Sequence, residues 1–295
     1  MKSIREILIL LCACLIFQVL HAQENLDLKG TACVPVRTTV EEELSFQDGE
    51  VMKFILHYRW AGINTDVGTA TVSLDSLTYN GHEAFHCSVD GRTTRMFDFF
   101  FKVREDFQSW FTRDGMRPLK FTRDTHEGRY TARNSYIYNW DAAEPYIAAD
   151  VYTSNIGELS VELPLTPCTY DLPALFFFAR NMDVDNVEPG RRYPMTFAID
   201  EEVFNVYFIL YGRETIKVKG LGTVNTIKFA AKLLEGGVFK GEEDMMIWIS
   251  DDRNRLPVYF EAPLLVGKAA GRMSGFSGLK YPFKALIENR MQENK

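Results

Sequence analysis

The fold class is decided by the stretch Val51-Met52-Lys53-Phe54-Ile55-Leu56-His57-Tyr58-Arg59-Trp60. Its even-numbered members are apolar or aromatic, whereas the other face carries Lys53, His57 and Arg59. Alternation with a period of two residues is typical of a β-strand that buries one face. The stretch therefore predicts a strand whose even positions face the core.

Working outward, the same period continues into a β-hairpin. Residues 67–79 alternate, Asn80-Gly81 follows, and a second strand is predicted at 84–90. Asn-Gly is the dipeptide that best tolerates the two positive φ angles of a type I′ turn. The other predicted strands are 106–112, 117–123, 129–140, 146–153, 157–163, 193–199, 203–211, 214–219, 224–234, 245–250 and 257–261. Turn signals about every 8–12 residues predict an all-β, mostly antiparallel fold: a curved sheet, an open barrel or a sandwich.

One or two short helices are expected to cover the sheet. Residues 171–180 begin with Asp171 at a capping position, continue with a proline in the first turn, and space their apolar residues as a helix does. The aromatic residues of 96–103 fit a helical turn and a strand equally well, so that stretch stays open. No linker or repeat marks a domain boundary, which predicts a single β domain over 46–280 and a polar C-terminal tail over 281–295.

The N-terminus has the pattern of a secretory signal peptide over residues 1–22. A basic start precedes an apolar run over 7–20, and the small residue Ala22 ends the segment. An alternative is a lipoprotein box at Leu11-Cys12-Ala13-Cys14, which is less favoured because the chain stays apolar after Cys14. No later stretch reaches the roughly 20 apolar residues of a membrane span. We therefore expect an exported, soluble protein, periplasmic or else lipid-anchored, with a lead-in segment over 23–45.

The cysteine content and the net charge bear on the possible disulfides and partners of the protein. Cys33, Cys87 and Cys168 follow the signal peptide, and an odd number allows one disulfide with a spare thiol or three buried thiols, so the pairing stays open. The net charge of −7 argues against nucleic acid as a partner, because nucleic-acid binding needs a basic surface.

No residue pattern predicts a catalytic site, a metal site or a cofactor. His82 and His86 lie on a predicted strand, where four residues span about 13 Å, so they cannot share one ion. His126-Glu127 lies at a predicted turn without a marked nucleophile. Acidic runs such as Asp251-Asp252 leave open a hydrolase that uses paired carboxylates. Whether the protein is an enzyme is not decided, and the patterns favour a protein that is not.

Aromatic residues are abundant, with 22 Phe, 13 Tyr and 4 Trp. Most are expected to fill the core between pleated surfaces. Some aromatic side chains could instead line a cavity for an acyl chain or stack on sugar rings, as in barrels that hold ligands. The candidates for such a lining are Trp60, Phe97, Phe100 and Trp110.

The order of several motifs resembles that of the exported bacterial proteins of domain-of-unknown-function family 3108. These motifs are Phe46-Gln47-Asp48-Gly49-Glu50, Tyr58-Arg59-Trp60-Ala61-Gly62, Val103-Arg104-Glu105-Asp106-Phe107-Gln108-Ser109, the helical stretch 171–180, Trp248-Ile249-Ser250-Asp251-Asp252 and Arg255-Leu256-Pro257-Val258. The similarity runs from about residue 46 to about residue 275. It implies an exported, predominantly antiparallel β protein, and it implies no catalytic residue.

The motif residues have a physical interpretation as turn and scaffold positions. Acidic and hydroxyl side chains at strand ends bond to nearby backbone groups, and a proline can open the next strand. The residues expected in these roles are Glu50, Asp106, Asp171, Arg180, Trp248, Ser250, Asp252 and Arg255.

Export, β periodicity and aromatic content lead to one functional hypothesis. The chain is expected to be a non-catalytic envelope protein that binds or assembles an apolar or glycan component, with a lipid, a glycan or an envelope protein as its partner. One alternative is a hydrolase of an envelope polymer with paired carboxylates. The other is a structural module that binds a protein through a sheet edge.

Overall fold

The computed structural model describes residues 35–231, 244–264 and 267–288. Within these ranges the chain forms one mostly antiparallel sheet, which confirms the predicted fold class. Its strands are β1 (Glu50–Trp60), β2 (Ile63–Tyr79), β3 (His82–Thr93), β4 (Val103–Thr112), β5 (Pro118–Glu127), β6 (Tyr130–Asn139), β7 (Tyr146–Thr153), β8 (Gly157–Pro164), β9 (Thr169–Tyr170), β10 (Arg192–Ile199), β11 (Glu202–Val218), β12 (Gly222–Ala231), β13 (Met245–Ser250), β14 (Pro257–Pro263), β15 (Lys268–Ser277) and β16 (Leu286–Glu288). The helices are a 3₁₀ turn (Glu41–Glu43), α1 (Arg95–Asp98) and α2 (Leu172–Ala179).

The sheet is a long meander that joins its two halves at β1. Strands β8 to β1 are neighbours in order, β1 pairs with β15, and strands β15 to β9 continue the sheet. Strand β9 pairs with β10 in parallel, and β16 pairs with β12. Strand β8 approaches β11 without joining it through hydrogen bonds, so the sheet is strongly curved and open.

The hairpin predicted at Asn80-Gly81 is confirmed. Asn80 has φ 48° and Gly81 has φ 82°, and Tyr79 pairs with His82 across the two-residue loop. The alternation in β1 is also confirmed in the first half of the strand, where Met52 and Phe54 are buried and Lys53 is exposed. Local turn chemistry and the period of the side chains therefore fix this region.

Three strands differ from the predictions. Strands expected at 203–211 and 214–219 are one strand, β11, because a bulge at Gly212 (φ 128°) shifts its register without ending it. Strand β15 was not predicted, since its small residues have low β propensity; one of them, Gly271, leaves room for the Phe260 ring on β14. The stretch expected to be a tail from 281 onward contains β16, and Ala285 there is buried.

Helix α2 confirms the helix predicted at 171–180. The Asp171 carboxylate accepts a hydrogen bond of 2.9 Å from the backbone N–H of Ala174, and Pro173 lies in the first turn. The helix contacts β3, β4 and β10, which are far apart in the order of the sheet, so the sheet wraps around it. The stretch 96–103, for which helix and strand were both left open, begins in the short helix α1, and its last residue, Val103, begins β4.

Aromatic rings fill the space between the helix and the sheet. The Phe46 ring centroid lies 4.7 Å from that of Phe177 and 5.5 Å from that of Phe85. The Phe111 ring lies 5.9 Å from Phe177, and all four side chains are buried. Each such ring removes a large apolar area from water, so this cluster is the centre of the core.

Arg180, which follows α2, forms a buried ion pair with Glu50. The Arg180 Nη1 atom lies 2.5 Å from Glu50 Oε1, and its Nη2 atom donates to the carbonyl oxygens of Asn254 at 2.8 Å and of Ser45 at 3.2 Å. Both charged side chains are almost fully buried. The pair joins the start of β1, the end of α2 and the β13–β14 connection.

The β13–β14 connection is held by its own side chains. Asp252 accepts hydrogen bonds from the backbone N–H groups of Asn254, Lys284 and Ala285, and Ser250 Oγ accepts one from the N–H of Leu256. These contacts lie at turns and strand ends.

The remaining residues expected in scaffold roles make polar contacts with nearby side chains. Arg255 forms a salt bridge of 3.1 Å with Asp251. Trp248 donates a 2.5 Å hydrogen bond to Glu214, and Asp106 accepts one of 3.0 Å from Gln108 on its own strand.

The cysteines behave differently from one another. Cys168 is disulfide-bonded, and Cys87 is a free thiol buried in the core. Burial raises the pKa of the Cys87 thiol well above its usual value. Cys33 and the expected signal peptide lie outside the described residues. In the part of the chain that is described, each helix is too short or too polar to cross a bilayer.

Candidate functional site

A cavity of about 540 Å³ lies on the polar face of β1, opposite the buried Met52 and Phe54. Strands β1, β2, β14 and β15 supply most of its wall, and the end of β11 with the following turn supplies the rest. The lining residues are His57, Asn64, Thr65, Asp66, Lys217, Val218, Lys219, Tyr259 and Arg272. Its size is in the range of ligand pockets, and its lining is mostly polar.

Two arginine–carboxylate pairs brace this face of the sheet. Arg272 on β15 makes two hydrogen bonds of 2.8 Å with both carboxylate oxygens of Asp66 on β2, across the intervening β1. Arg59 donates to Glu261, which also accepts a 2.6 Å hydrogen bond from the Tyr259 hydroxyl. Bidentate pairing fixes both partners in orientation, and the hydrogen bond from Arg272 lowers the pKa of Asp66.

His57 lies against this charged frame. Its ring stacks on that of Tyr259, with centroids 6.4 Å apart and planes 28° apart. The buried Nδ1 atom has no hydrogen-bond partner within the described chain. Burial, with the nearby charges of Arg272 and Arg59, lowers the pKa of His57. The imidazole is therefore neutral at pH 7 and has an unused polar atom.

The cavity carries a positive charge in an acidic protein. Lys217, Lys219 and Arg272 line it, against the single carboxylate of Asp66. Asp66 is engaged with Arg272, whereas the two lysines form no salt bridge among the described residues. The whole chain has a net charge of −7. A concave basic surface on such a protein attracts anionic ligands selectively.

A second polar cluster lies on the inner face of the sheet. The Thr125 hydroxyl donates a 2.5 Å hydrogen bond to Glu105, and Arg123 Nε donates one of 2.8 Å to the Thr125 hydroxyl oxygen. Arg123 Nη1 also donates to Asp200 at 2.8 Å. Burial, aided by the neighbouring Glu127, raises the pKa of Glu105 to about 8. Glu105 is therefore mostly protonated at neutral pH.

A family model with the description "Protein of unknown function (DUF3108)" matches residues 53–274. The chain belongs to this family. The match confirms the family resemblance read from the motifs, and it covers both the cavity and the inner cluster. No curated protein sequence matches the DUF3108 chain.

One solved structure supports the fold of this DUF3108 protein. The crystal structure of a beta-barrel-like protein of domain of unknown function DUF1849 from Brucella abortus has a TM-score of 0.53 and 11% identity, over 85% of this chain and 100% of that chain. A "putative lipoprotein" from Parabacteroides distasonis has a TM-score of 0.29 and 12% identity, over 84% and 100%. The first likeness supports the barrel-like architecture, and the second is too low to add to it.

The four aromatic candidates of the DUF3108 chain do not meet in one described cavity. Trp110 stacks on His86, with ring centroids 4.5 Å apart, and the Lys120 Nζ atom lies over the Trp110 ring, 4.8 Å from its centroid. Phe97 and Phe100 belong to the α1 region, and Trp60 lies beside the β14–β15 turn. Since alternation says which face a side chain shares but not which strands are neighbours, the lining could not be deduced from it.

The alternation of residues 51–60 places His57 and Arg59 on the polar face of a strand and shows no more of the site. Asp66, Tyr259 and Arg272 were missed as a group, because β1 pairs with β15 across more than 200 residues of sequence and β14 joins the site through β15. One signal in the sequence could have pointed to the site: a charged residue, such as Arg272, within an otherwise uncharged stretch. Within the described ranges, no three His, Cys, Asp or Glu side chains are grouped so that they could hold a metal ion.

Proposed function

We propose that this DUF3108 protein is an exported, non-catalytic binding protein of the bacterial cell envelope that holds an acidic glycan in the cavity beside His57. The observation that carries the proposal is the cavity's combination of two lysines, which form no salt bridge with any described residue, and a stacked tyrosine and histidine. Sugars are recognised by aromatic faces and by hydrogen-bonding groups held in fixed geometry. Carboxylate or phosphate groups on the glycan would pair with Lys217 and Lys219.

A polar ligand is favoured over an apolar one. Asn64, Thr65 and the charged side chains line the cavity, and Val218 is its one aliphatic member. An acyl chain would leave these polar groups without water or hydrogen-bond partners, which costs free energy.

Binding without hydrolysis is supported by the state of the carboxylates. Asp66 is paired with Arg272 and Glu261 with Arg59, so neither is placed as a free acid or base. Glu105 and Glu127 lie against each other on the inner face. Glycoside hydrolysis by two carboxylates needs them about 5–9.5 Å apart, with the sugar between them.

The envelope location rests on the N-terminal pattern of a basic start, an apolar run and a small residue. The disulfide at Cys168 supports it, because disulfides persist in oxidising compartments. Fractionation of cells that express the tagged full chain tests this part of the proposal separately from ligand binding.

The binding test is calorimetry of the mature chain with uronic-acid oligosaccharides and with neutral oligosaccharides of equal length. We expect acidic ligands to bind more tightly and to lose affinity at higher salt. The double variant Lys217→Ala/Lys219→Ala should bind at least tenfold more weakly, a loss of about 1.4 kcal/mol. The control Lys53→Ala/Lys268→Ala removes the same charge from exposed positions outside the cavity and should bind normally.

Equal affinity of the Lys217→Ala/Lys219→Ala variant and the control for the acidic ligand would refute the cavity as the site. Shortening of the oligosaccharide during the experiment, seen by chromatography, would favour the hydrolase instead. Absence of binding to all glycans would overturn the proposed function.

A further inference from the structure

Three connections at one end of the sheet present apolar side chains to solvent beside basic ones, and we propose that this end docks on a lipid bilayer that contains anionic headgroups. The connections are the α1 region between β3 and β4, the β5–β6 turn and the β7–β8 turn. We name this surface the aromatic rim. Its residues are Met96, Phe99, Phe100 and Ile156, which are apolar, and Arg95, Lys102 and Arg129, which are basic.

The apolar side chains of the rim are strongly exposed. Phe99 is 87% exposed, Met96 64%, and Phe100 and Ile156 49% each. Soluble proteins scatter single exposed apolar residues, but an adjoining group of this kind marks an interaction site. The Phe99 and Phe100 rings are edge to face with centroids 5.4 Å apart, so they form one apolar point and not two separate ones.

The three connections are neighbours in space. Strands β3 to β8 are adjacent in sequence order, so every second connection lies at the same end. The Gly128 N–H donates a 2.9 Å hydrogen bond to the Lys102 carbonyl oxygen, and Phe101 packs directly over Gly128. The Ser154 N–H donates one of 2.8 Å to Thr131. These bonds align the tips side by side.

The rim is held in shape by its base. Arg104 donates to both carboxylate oxygens of Asp98, at 2.9 and 2.5 Å, and the Thr93 hydroxyl donates to Asp98 at 2.5 Å. Phe97 and Phe101 are partly buried, whereas Phe99 points to solvent. The exposure of Phe99 is thus part of an ordered loop, and docking would cost little conformational entropy.

The charge of the rim favours anionic lipid. Arg95, Lys102 and Arg129 are exposed and form no salt bridge within the described ranges. Of the nearby acids, Asp98 is paired with Arg104, Asp200 with Arg123, and Glu127 lies against Glu105. That leaves Glu158 on β8 and Glu201, whose charge acts on Tyr130, against the three basic residues. Aromatic residues flanked by basic ones are the composition of segments that insert at the membrane interface. A row of turn tips suits shallow insertion better than the broad contact of a protein interface.

The test is co-sedimentation of the mature full chain with phosphatidylcholine vesicles, with and without phosphatidylglycerol. We expect binding that increases with phosphatidylglycerol and decreases with salt. The variant Phe99→Ser/Phe100→Ser should reduce the partition coefficient at least tenfold. The control Ile137→Ser/Tyr211→Ser changes two exposed apolar residues elsewhere and should not alter it. Circular dichroism and thermal unfolding verify that each variant is folded.

A charge variant separates the two contributions of the rim. Arg95→Glu/Lys102→Glu should abolish the increase caused by phosphatidylglycerol. If the wild type ignores both kinds of vesicle, or if Phe99→Ser/Phe100→Ser binds like the wild type, the inference is wrong. The Lys217→Ala/Lys219→Ala variant should bind vesicles normally, so this test succeeds or fails independently of glycan binding.

Discussion

Replacing Glu105 by glutamine should stabilise the protein at pH 8 and leave its stability unchanged at pH 4.5. Burial and the neighbouring Glu127 raise the pKa of Glu105 from 4.5 to about 8. Between these values the folded protein keeps a proton that the unfolded chain has released, so this residue's contribution to stability falls as pH rises. The full change corresponds to about 5 kcal/mol at 1.36 kcal/mol per pH unit. Because water reaches part of the side chain, we expect about half, or ~2 kcal/mol.

Glutamine is the right replacement because it has the shape of the protonated acid and can still accept the hydrogen bond from Thr125. Thermal unfolding followed by circular dichroism from pH 4 to pH 9 measures the effect. A gain of about 2 kcal/mol in a domain of this size raises Tm by roughly 4–8 °C at pH 8. The difference from the wild type cancels the other titrating groups, including His57, whose lowered pKa weakens the protein below pH 6.5.

Thr122→Val, on the opposite face of β5, serves as a control that should show no such pH dependence. A Glu105→Gln variant that is destabilised at pH 8, or whose gain does not vary with pH, would refute the idea that this carboxyl group is held protonated. In that case the ionised form of Glu105, interacting with Arg123 and Thr125, would be the form that stabilises the folded protein.

Three further predictions concern the core and its cysteine. Arg180→Met should lower the free energy of unfolding in urea by about 3–5 kcal/mol, since it leaves Glu50 buried without a counter-charge, and adding Glu50→Gln should restore part of the loss. Asp171→Asn should raise Tm at pH 8 but not at pH 3.5, because burial raises the pKa of Asp171 to about 7 and its stabilising contribution falls between about pH 4 and pH 7. A decrease of Tm at pH 8 would contradict this. Cys87 should resist iodoacetamide until the protein unfolds, as mass spectrometry of labelled peptides can show, whereas rapid labelling of the folded protein would mean that the thiol is accessible.

Local patterns in the sequence were sufficient for most individual elements. The alternation in β1, the Asn80-Gly81 turn and the capped helix after Asp171 each depend on residues within a few positions of one another. Side-chain period, turn chemistry and capping act over that range, so they predict strands, hairpins and helix ends directly. The mostly antiparallel fold follows, because short connections can join only antiparallel neighbours.

Tertiary structure decided what local patterns could not. The bulge at Gly212 keeps β11 continuous where composition suggested a break. Strand β15 is held by its pairing with β1 and β14, and the missing side chain of Gly271 leaves room there for the Phe260 ring. The candidate site is the clearest case. The sequence placed His57 on a polar face, but only the pairing of β1 with β15 brings Arg272 across to Asp66.

The physical reason is the difference between period and register. Alternation fixes which side chains share a face, and it is a property of each strand alone. The choice of neighbouring strand depends on how distant segments pack around the helix that contains Phe177, a non-local gain that no short window contains. The sequence by itself therefore determined the strands and their faces, and the folded chain decided which faces meet to form a cavity.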